Sequence, residues 1–341
     1  MKNVLVTGGL GYIGSHTTVE LLNAGFEVIV IDDLSNTEKS VIQGIEQASG
    51  KTITFIEADV SNEIALNSII QEYKKTLVGV IHFAAFKAVG ESVQKPIKYY
   101  KNNILSLLTI LDVLQQNTLD NLIFSSSCTV YGQAEKLPIT ESAPLKKAES
   151  PYGNTKKMGE DIIEDATKAY KLNAICLRYF NPIGAHPSTA IGENPKGTPQ
   201  NLVPFITQTA AGIRQQLAVF GNDYPTVDGT CVRDYIYVVD LAKAHVIALQ
   251  RLIDKKNTHA KEVFNIGTGK GSTVLEVINT FEAATAQKLN YEITDRREGD
   301  ITAAYADTQK ANTELGWKAE YDLAFALNSA WKWEKKCRGI K

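Results

Sequence analysis

Nowhere does this chain of 341 residues approach the roughly 18 consecutive apolar residues that a membrane-crossing helix needs. Its opening run, Val4-Leu5-Val6, is too short for the apolar part of a secretory leader. A soluble, cytoplasmic protein is expected, with no membrane partner. Cysteine is sparse: Cys128, Cys176, Cys231 and Cys337 stand far apart, without CxxC pairs or histidines at zinc-ligand spacing, which fits a reducing compartment. His16, His82, His186, His245 and His259 are scattered and read as packing, cap or surface residues, so no metal is expected. An excess of positive charge is missing too. Thirty-six basic against 38 acidic residues give a net charge of -2, with no dense Lys/Arg stripe, which argues against a nucleic-acid partner. There is no internal repeat and no low-complexity segment, and 44% hydrophobic residues with only 10 Pro exclude a disordered or fibrous chain.

What is present is an alternation of short apolar runs with longer amphipathic ones, the pattern of parallel strands joined by helical crossovers. Strands are expected near Asn3–Thr7, Glu27–Ile31, Thr52–Ile56, Gly79–His82, Asn121–Ser125 and Asn173–Arg178, and helices at Gly11–Ala24, Asn62–Lys74, Pro96–Gln116 and Tyr152–Tyr170. Such a pattern predicts an α/β fold around a doubly wound parallel Rossmann sheet. After Phe180 the rhythm breaks at Pro182, Gly184, Pro187, Gly192, Pro195, Gly197 and Pro199, where a smaller C-terminal α/β lobe begins. Residues 1–180 are therefore read as a nucleotide-binding domain and 181–341 as a substrate lobe. A helix at Asp240–Leu252, with Asp240 as its N-cap, then a strand at Glu262–Ile266 and a helix from about Thr273 suggest that residues 236–266 return to the first domain.

Thr7-Gly8-Gly9-Leu10-Gly11-Tyr12-Ile13-Gly14 closes the first strand and opens the first helix. Glycines there permit a tight turn and close approach of the backbone to a pyrophosphate, which the helix N-terminus attracts. Asp32 ends the second strand where a carboxylate can accept from an adenosine ribose, and Asp33 beside it would repel a 2′-phosphate, so NAD is favoured over NADP. Asp59-Val60 and Phe83-Ala84-Ala85 lie at the ends of the third and fourth strands, along the same edge. Tyr152 and Lys156 stand four apart on one helix face. A nearby ammonium, and a positively charged nicotinamide ring if one is bound, favour phenolate over phenol, so a lowered Tyr152 pKa and a base usable near neutral pH are expected. Ser125-Ser126-Ser127 adds hydroxyls at the same edge.

These segments, with Lys87–Ser92, Ser125–Gly132, Ser150–Lys156, Leu177–Pro182, Gly221–Tyr224 and Val232–Ile236, resemble the extended short-chain dehydrogenases/reductases and, within them, the UDP-hexose 4-epimerases. The resemblance implies a tightly held, recycled NAD and UDP-galactose/UDP-glucose as substrates. Tyr152 would be the acid/base at sugar O4, Lys156 its partner on the nicotinamide ribose, and Ser127 a hydrogen-bond partner of O4. It further implies that Gly8, Gly11, Tyr12, Ile13, Gly14, Asp32, Asn36, Asp59, Val60, Phe83, Ala84, Ala85, Lys87, Asn102, Tyr152, Lys156 and Phe180 hold the cofactor. The UDP-sugar falls to Lys87, Ser127, Tyr152, Asn181, Asn201, Leu202, Ala218, Phe220, Arg233, Arg297, Asp300 and Ala304. A homodimer is implied as well.

Two rivals remain: a sugar-nucleotide 4,6-dehydratase and a catalytically silent NAD-binding regulator. Dehydratases of this kind resemble one another in placing Asp-Glu before Val-Tyr-Gly, whereas Cys128-Thr129 stand there in this chain, without a carboxylate. Retention of Ser127, Tyr152 and Lys156 together speaks against the silent regulator. Arg296-Arg297 reads equally well as a solvated pair. Ala304 falls where epimerases restricted to non-acetylated sugars commonly carry Tyr, which would leave room for an acetamido group in UDP-GlcNAc and UDP-GalNAc, unless Tyr305 fills it.

Overall fold

The computed structural model describes residues 2–297 and 299–340. Its first half runs β1 (Asn3–Thr7), α1 (Tyr12–Asn23), β2 (Glu27–Asp32), α2 (Val41–Ser49), β3 (Thr54–Glu57), α3 (Glu63–Tyr73), β4 (Leu77–His82), α4 (Val89–Gln94), α5 (Pro96–Asn117), β5 (Asn121–Ser127), α6 (Pro151–Ala169) and β6 (Asn173–Tyr179). The second half continues with β7 (Asn181–Ile183), α7 (Leu202–Ala210), β8 (Leu217–Phe220), β9 (Val232–Arg233), β10 (Tyr235–Tyr237) and α8 (Val238–Ile253). It closes with β11 (Lys261–Ile266), β12 (Ser272–Thr273), α9 (Val274–Thr285), β13 (Tyr291–Thr294), β14 (Ala303–Ala304) and α10 (Leu323–Arg338).

Seven strands form one parallel sheet in the order β11-β6-β5-β4-β1-β2-β3. Successive side chains of a strand point to opposite faces, and both faces here are covered by helices. Val4, Val6, Val28, Val30, Ile81, Ile123, Ile175 and Leu177 thus join one core, with Leu241 and Leu249 of α8. Leu5, Ile29, Ile31, Val80, Leu122, Phe124, Ala174 and Cys176 join the other, with Leu107 and Ile110 of α5 and Ile163 of α6. The strand order reverses between β1 and β4, which opens a crevice at their C-terminal ends.

The expected strands are present with ends moved by two residues or fewer, and β11 completes the sheet beside β6. Helices α2, α4, α7 and α10 were not expected. Asp240 does not cap α8: Tyr237 holds that place, and the buried Asp240 carboxylate accepts from the backbone N–H groups of Glu320 (3.0 Å) and Tyr321 (3.1 Å). A separate core of Val203, Ile206, Val219, Tyr237, Phe281, Leu327 and Trp331 holds the lobe together around α7, α9 and α10. Among the described residues, no helix is long and apolar enough to cross a membrane.

Behind the ends of β5 and β6 lies a buried ion pair between Arg178 and Glu160. Arg178 Nε donates to Glu160 Oε1 at 2.8 Å, and its Nη1 donates to the Tyr131 hydroxyl at 2.9 Å. Glu160 also accepts from the Ser126 hydroxyl, and Tyr131 donates to Asn265 Oδ1 at 2.6 Å. Four elements, β5, α6, β6 and β11, are thereby joined through one polar knot. Arg178→Met leaves the carboxylate buried and unpaired, and we expect it to cost about 3–5 kcal/mol in denaturant unfolding. Adding Glu160→Gln should recover part of that loss, as removal of both charges is cheaper than removal of one.

Candidate active site

The glycine turn is built by close backbone contact. Gly8 has φ +68°, and a Cβ there would stand 2.7 Å from the Ala84 backbone nitrogen in the loop after β4. A Cβ on Gly14 would collide with the Gly8 carbonyl oxygen. Gly11 starts α1 without a side-chain cap, leaving the N–H groups of Tyr12 and Ile13 to be met by an anion or by water. Asp32 is buried and its carboxylate accepts from Leu10 N (3.2 Å) and Leu34 N (3.0 Å), which fixes it at the end of β2; burial raises its pKa. Asn36 and Asp59 are exposed beyond that strand edge, whereas Val60 is buried. Phe83, Ala84 and Ala85 are half-buried at the β4 end, with the Phe83 ring 4.7 Å from that of His245. The donor set fits a dinucleotide: a cradle closed to side chains, an uncapped helix start and a fixed carboxylate.

Ser150 caps α6, accepting from Gly153 N at 3.1 Å, and Pro151 occupies its first turn, so Tyr152 and Lys156 both fall in the first two turns. Gly153 lets α6 approach the turn after β5 closely; a Cβ there would meet the Thr129 side chain at 3.3 Å. Lys156 Nζ donates to the Ser125 carbonyl at 2.6 Å and lies 6.0 Å from the Tyr152 ring centre. Ser127 caps the single turn Cys128–Tyr131 and accepts from Thr129 N and Thr129 Oγ1. Tyr152, Lys156 and Ser127 are therefore gathered at the β5 end.

The chain's own groups do not lower the Tyr152 pKa. Burial pushes the phenol up to about 12, and the neighbouring Ser127 hydroxyl offsets only part of this. Burial likewise pulls Lys156 down to about 8. Desolvation is the largest cause for both groups, and the Lys156 Nζ lies 5.0 Å over the Phe124 ring. Cys128 is half-buried with its thiol pushed up to about 12, which makes it a poor nucleophile. His82 and His245 are buried with pKa values lowered to about 3 and about 4, so both are neutral packing residues.

In the lobe, Arg233 on β9 donates to Val232 O (2.9 Å) and Ile301 O (2.8 Å) and faces Asp300, which Arg297 also engages at 2.7 Å. Arg296 turns away, donating to Asp223 at 2.7 Å over the Tyr224 ring, so the adjacent arginines diverge. Phe220 is partly exposed under the Arg297 guanidinium, 5.5 Å away, and Ala218 lies two residues before it on β8. Asn181 and Phe180 lie at the junction after β6, Leu202 opens α7, and Asn201 precedes it. Ala304 is buried with Val130, Tyr131, Ile139 and Phe180. Tyr305 takes the opposite face, packing within 3.0 Å of where a Gly271 Cβ would stand, so it does not fill the space beside Ala304.

Beside Asn102, sequence reasoning did not name the buried Asn103, which ties the loop after β4 to α6: it accepts from Phe86 N (2.9 Å) and donates to Phe86 O (3.0 Å) and Thr155 Oγ1 (3.1 Å). Asn102 donates to it at 3.0 Å. Asparagine inside a helix was the available signal, since its side chain competes with the helical backbone. Glu160 was also missed. A lone Arg178 in an apolar strand pointed to a buried partner.

A doubly wound sheet with a glycine turn, an end-of-strand serine and a Tyr/Lys helix defines the extended short-chain dehydrogenase/reductase class. A family model described as GDP-mannose 4,6 dehydratase matches residues 5–328. UDP-glucose 4-epimerase of Bacillus subtilis (strain 168) is 48% identical over 332 residues, covering 97% of this chain and 96% of that protein. The human UDP-glucose 4-epimerase is 44% identical over 342 residues, covering 98% and 97%. The crystal structure of the Stenotrophomonas maltophila UDP-glucose-4-epimerase, with bound NAD and formylated UDP-arabinopyranose, superposes with a TM-score of 0.96 at 44% identity, covering both chains fully. That from Bifidobacterium longum, in complex with NAD+ and UDP, gives 0.93 at 45%, also covering both fully. This chain belongs to the UDP-glucose 4-epimerase family.

The Lys156 ammonium loses solvation on folding, so the unfolded chain binds more protons between pH 8 and the ordinary lysine range, and stability rises with pH across that window. Lys156→Met should therefore raise the urea midpoint of the ligand-free protein at pH 7, with the gain shrinking as pH climbs past about 8.

Proposed function

We propose that this chain is an isomerase that holds NAD across the β1–β4 crevice and interconverts UDP-galactose and UDP-glucose by transient oxidation at sugar C4. The observation that carries the reading is the meeting of Ser127, Tyr152 and Lys156 at the end of β5, beside a glycine turn closed to side chains. Residues 1–180, with the returning segment 236–266, hold the cofactor, and residues 181–341 otherwise form the UDP-sugar lobe.

When bound, NAD supplies the acceptor and later the donor of the C4 hydride, and its positive ring adds the charge that favours phenolate over phenol. Tyr152 then takes and returns the proton at sugar O4, and Ser127 holds that oxygen by a hydrogen bond. Lys156 keeps the phenol oriented and, once charged, lowers its pKa. Gly8, Gly11, Tyr12, Ile13 and Gly14 face the pyrophosphate and Asp32 the adenosine ribose. Asn36, Asp59, Val60, Phe83, Ala84, Ala85, Lys87, Asn102 and Phe180 complete the cofactor wall. Inversion requires the oxidised hexose to present its other face, so the nucleotide must be gripped while the sugar turns. Arg233 and Arg297 suit the diphosphate, since guanidinium forks match phosphate oxygens. Phe220 offers an apolar face to the base, and Asn181, Asn201, Leu202, Ala218 and Asp300 line the remainder.

No carboxylate precedes Val130-Tyr131-Gly132, so the acid/base pair needed for a C5–C6 elimination is not supplied there. A homodimer is supported by the exposed apolar side chains Val93, Ile97, Leu105, Leu108 and Met158 on α4, α5 and α6. Four free cysteines agree with a cytoplasmic setting.

Incubated with UDP-galactose and no added NAD, the purified protein should yield a mixture with UDP-glucose by proton NMR. Tyr152→Phe should lower that rate about 100-fold or more while NAD stays bound, and full activity in this variant would remove Tyr152 as the base. The small, paired Ala304 also favours acceptance of UDP-GlcNAc and UDP-GalNAc. Ala304→Tyr should then suppress turnover of the acetylated sugars more than that of UDP-galactose, and equal turnover of both would refute the assignment.

A further inference from the structure

Residues 184–200, between β7 and α7, contain no helix or strand, yet they are tied to both sides of the crevice. The Tyr12 hydroxyl donates to Gly184 O at 2.7 Å, and Lys196 Nζ donates to Leu34 O at 3.3 Å. Gly44 of α2 has no room for a side chain because Ala190 O lies against it. The segment thus crosses from the start of α1 to the loop after β2, over the edge where the glycine turn opens.

Its hub is Glu193. One carboxylate oxygen, Oε1, accepts from Lys87 Nζ at 3.1 Å and from Asn201 Nδ2 at 2.8 Å, while the Glu193 backbone carbonyl accepts from Trp333 Nε1 at 3.0 Å. Its side chain is only 12% exposed, against 46% for Lys87. Lys87 comes from the nucleotide-binding half and Asn201 from the lobe, so a single oxygen bridges the two. Lys87 Nζ also lies 5.7 Å over the Tyr12 ring, which puts this cation beside the first turn of α1. A long, flexible lysine pays rotamer entropy whenever it meets a phosphate, and a fixed carboxylate that holds it near the helix start reduces that cost.

We propose that Glu193 is a positioning residue: its carboxylate holds Lys87 and Asn201 against residues 184–200 at the mouth of α1 and so sets how firmly diphosphate-bearing ligands are retained. This rests on the reading that the crevice holds NAD and a UDP-sugar. The interaction is distinct from the chemistry at Tyr152, because Glu193 reaches the ligands only through its two partners.

The test uses the full-length protein with Glu193→Gln, Glu193→Ala, Lys87→Met and the Glu193→Gln/Lys87→Met double variant. NAD still bound after desalting is released with acid and counted per chain, and kcat and KM are measured for UDP-galactose. Glu193→Gln should lose more NAD on desalting than the parent and raise KM about tenfold, more than it lowers kcat, the size expected for one charged hydrogen bond. The double variant should be little worse than Lys87→Met alone, since residues acting through one another do not add. Retention and KM like the parent in Glu193→Ala, tighter retention in Glu193→Gln, or additive losses in the double variant would each overturn the proposal. Should the alanine variant fail to fold, the isosteric glutamine decides. Calorimetric titration with UDP needs no turnover and separates the two ideas. UDP weakened by Glu193→Gln in a protein that converts no sugar would leave the positioning role standing and remove the epimerase reading.

Discussion

The buried pair between Arg178 and Glu160 is the constraint on which the site depends. Glu160 lies four residues beyond Lys156 and eight beyond Tyr152, on the same face of α6, so whatever fixes the carboxylate fixes the register of both. Its partners come from β6 and, through Ser126, from the strand position just before Ser127. A carboxylate in the interior tolerates little displacement, because any lost partner leaves charge without solvent. The helix that carries the phenol and the strand that carries the hydroxyl are therefore locked through the same carboxylate, while Lys156 adds a second tie to the Ser125 carbonyl.

Around that lock the molecule divides its labour by stiffness. The sheet edge is assembled from strand ends, helix starts and glycine contacts that admit no side chain, a construction suited to holding a cofactor. The lobe is built from strands of two to four residues and long connections, with arginines held by neighbouring carbonyls and by Asp300. The contrast is between an edge closed by backbone contact and a lobe whose arginines are held by carbonyls and a carboxylate.

Most of the first half was legible in the sequence, because buried parallel strands such as Val4-Leu5-Val6 are apolar on both faces and glycine turns are punctuated by composition. The lobe was not. Strands such as Val232–Arg233 and Ala303–Ala304 are two residues long and owe their existence to each other, at a separation no local pattern records. That Ser127, Tyr152 and Lys156 meet was legible from motif spacing, but the burial that raises the Tyr152 pKa was not, since it depends on tertiary packing that local sequence does not record. Asp240 shows the same limit: its place before an apolar run suggested a cap, whereas its carboxylate serves the distant backbone of Glu320 and Tyr321.

The last strand of the sheet, β11, is made only after residues 180–260 have been synthesised. Until then β6 presents an open edge of unpaired N–H and C=O groups on a growing chain, the kind of edge that recruits other strands. The lobe is thus not an appendage fused to a finished domain; its synthesis interrupts the sheet, which stays topologically incomplete until the ribosome has passed well into the second half.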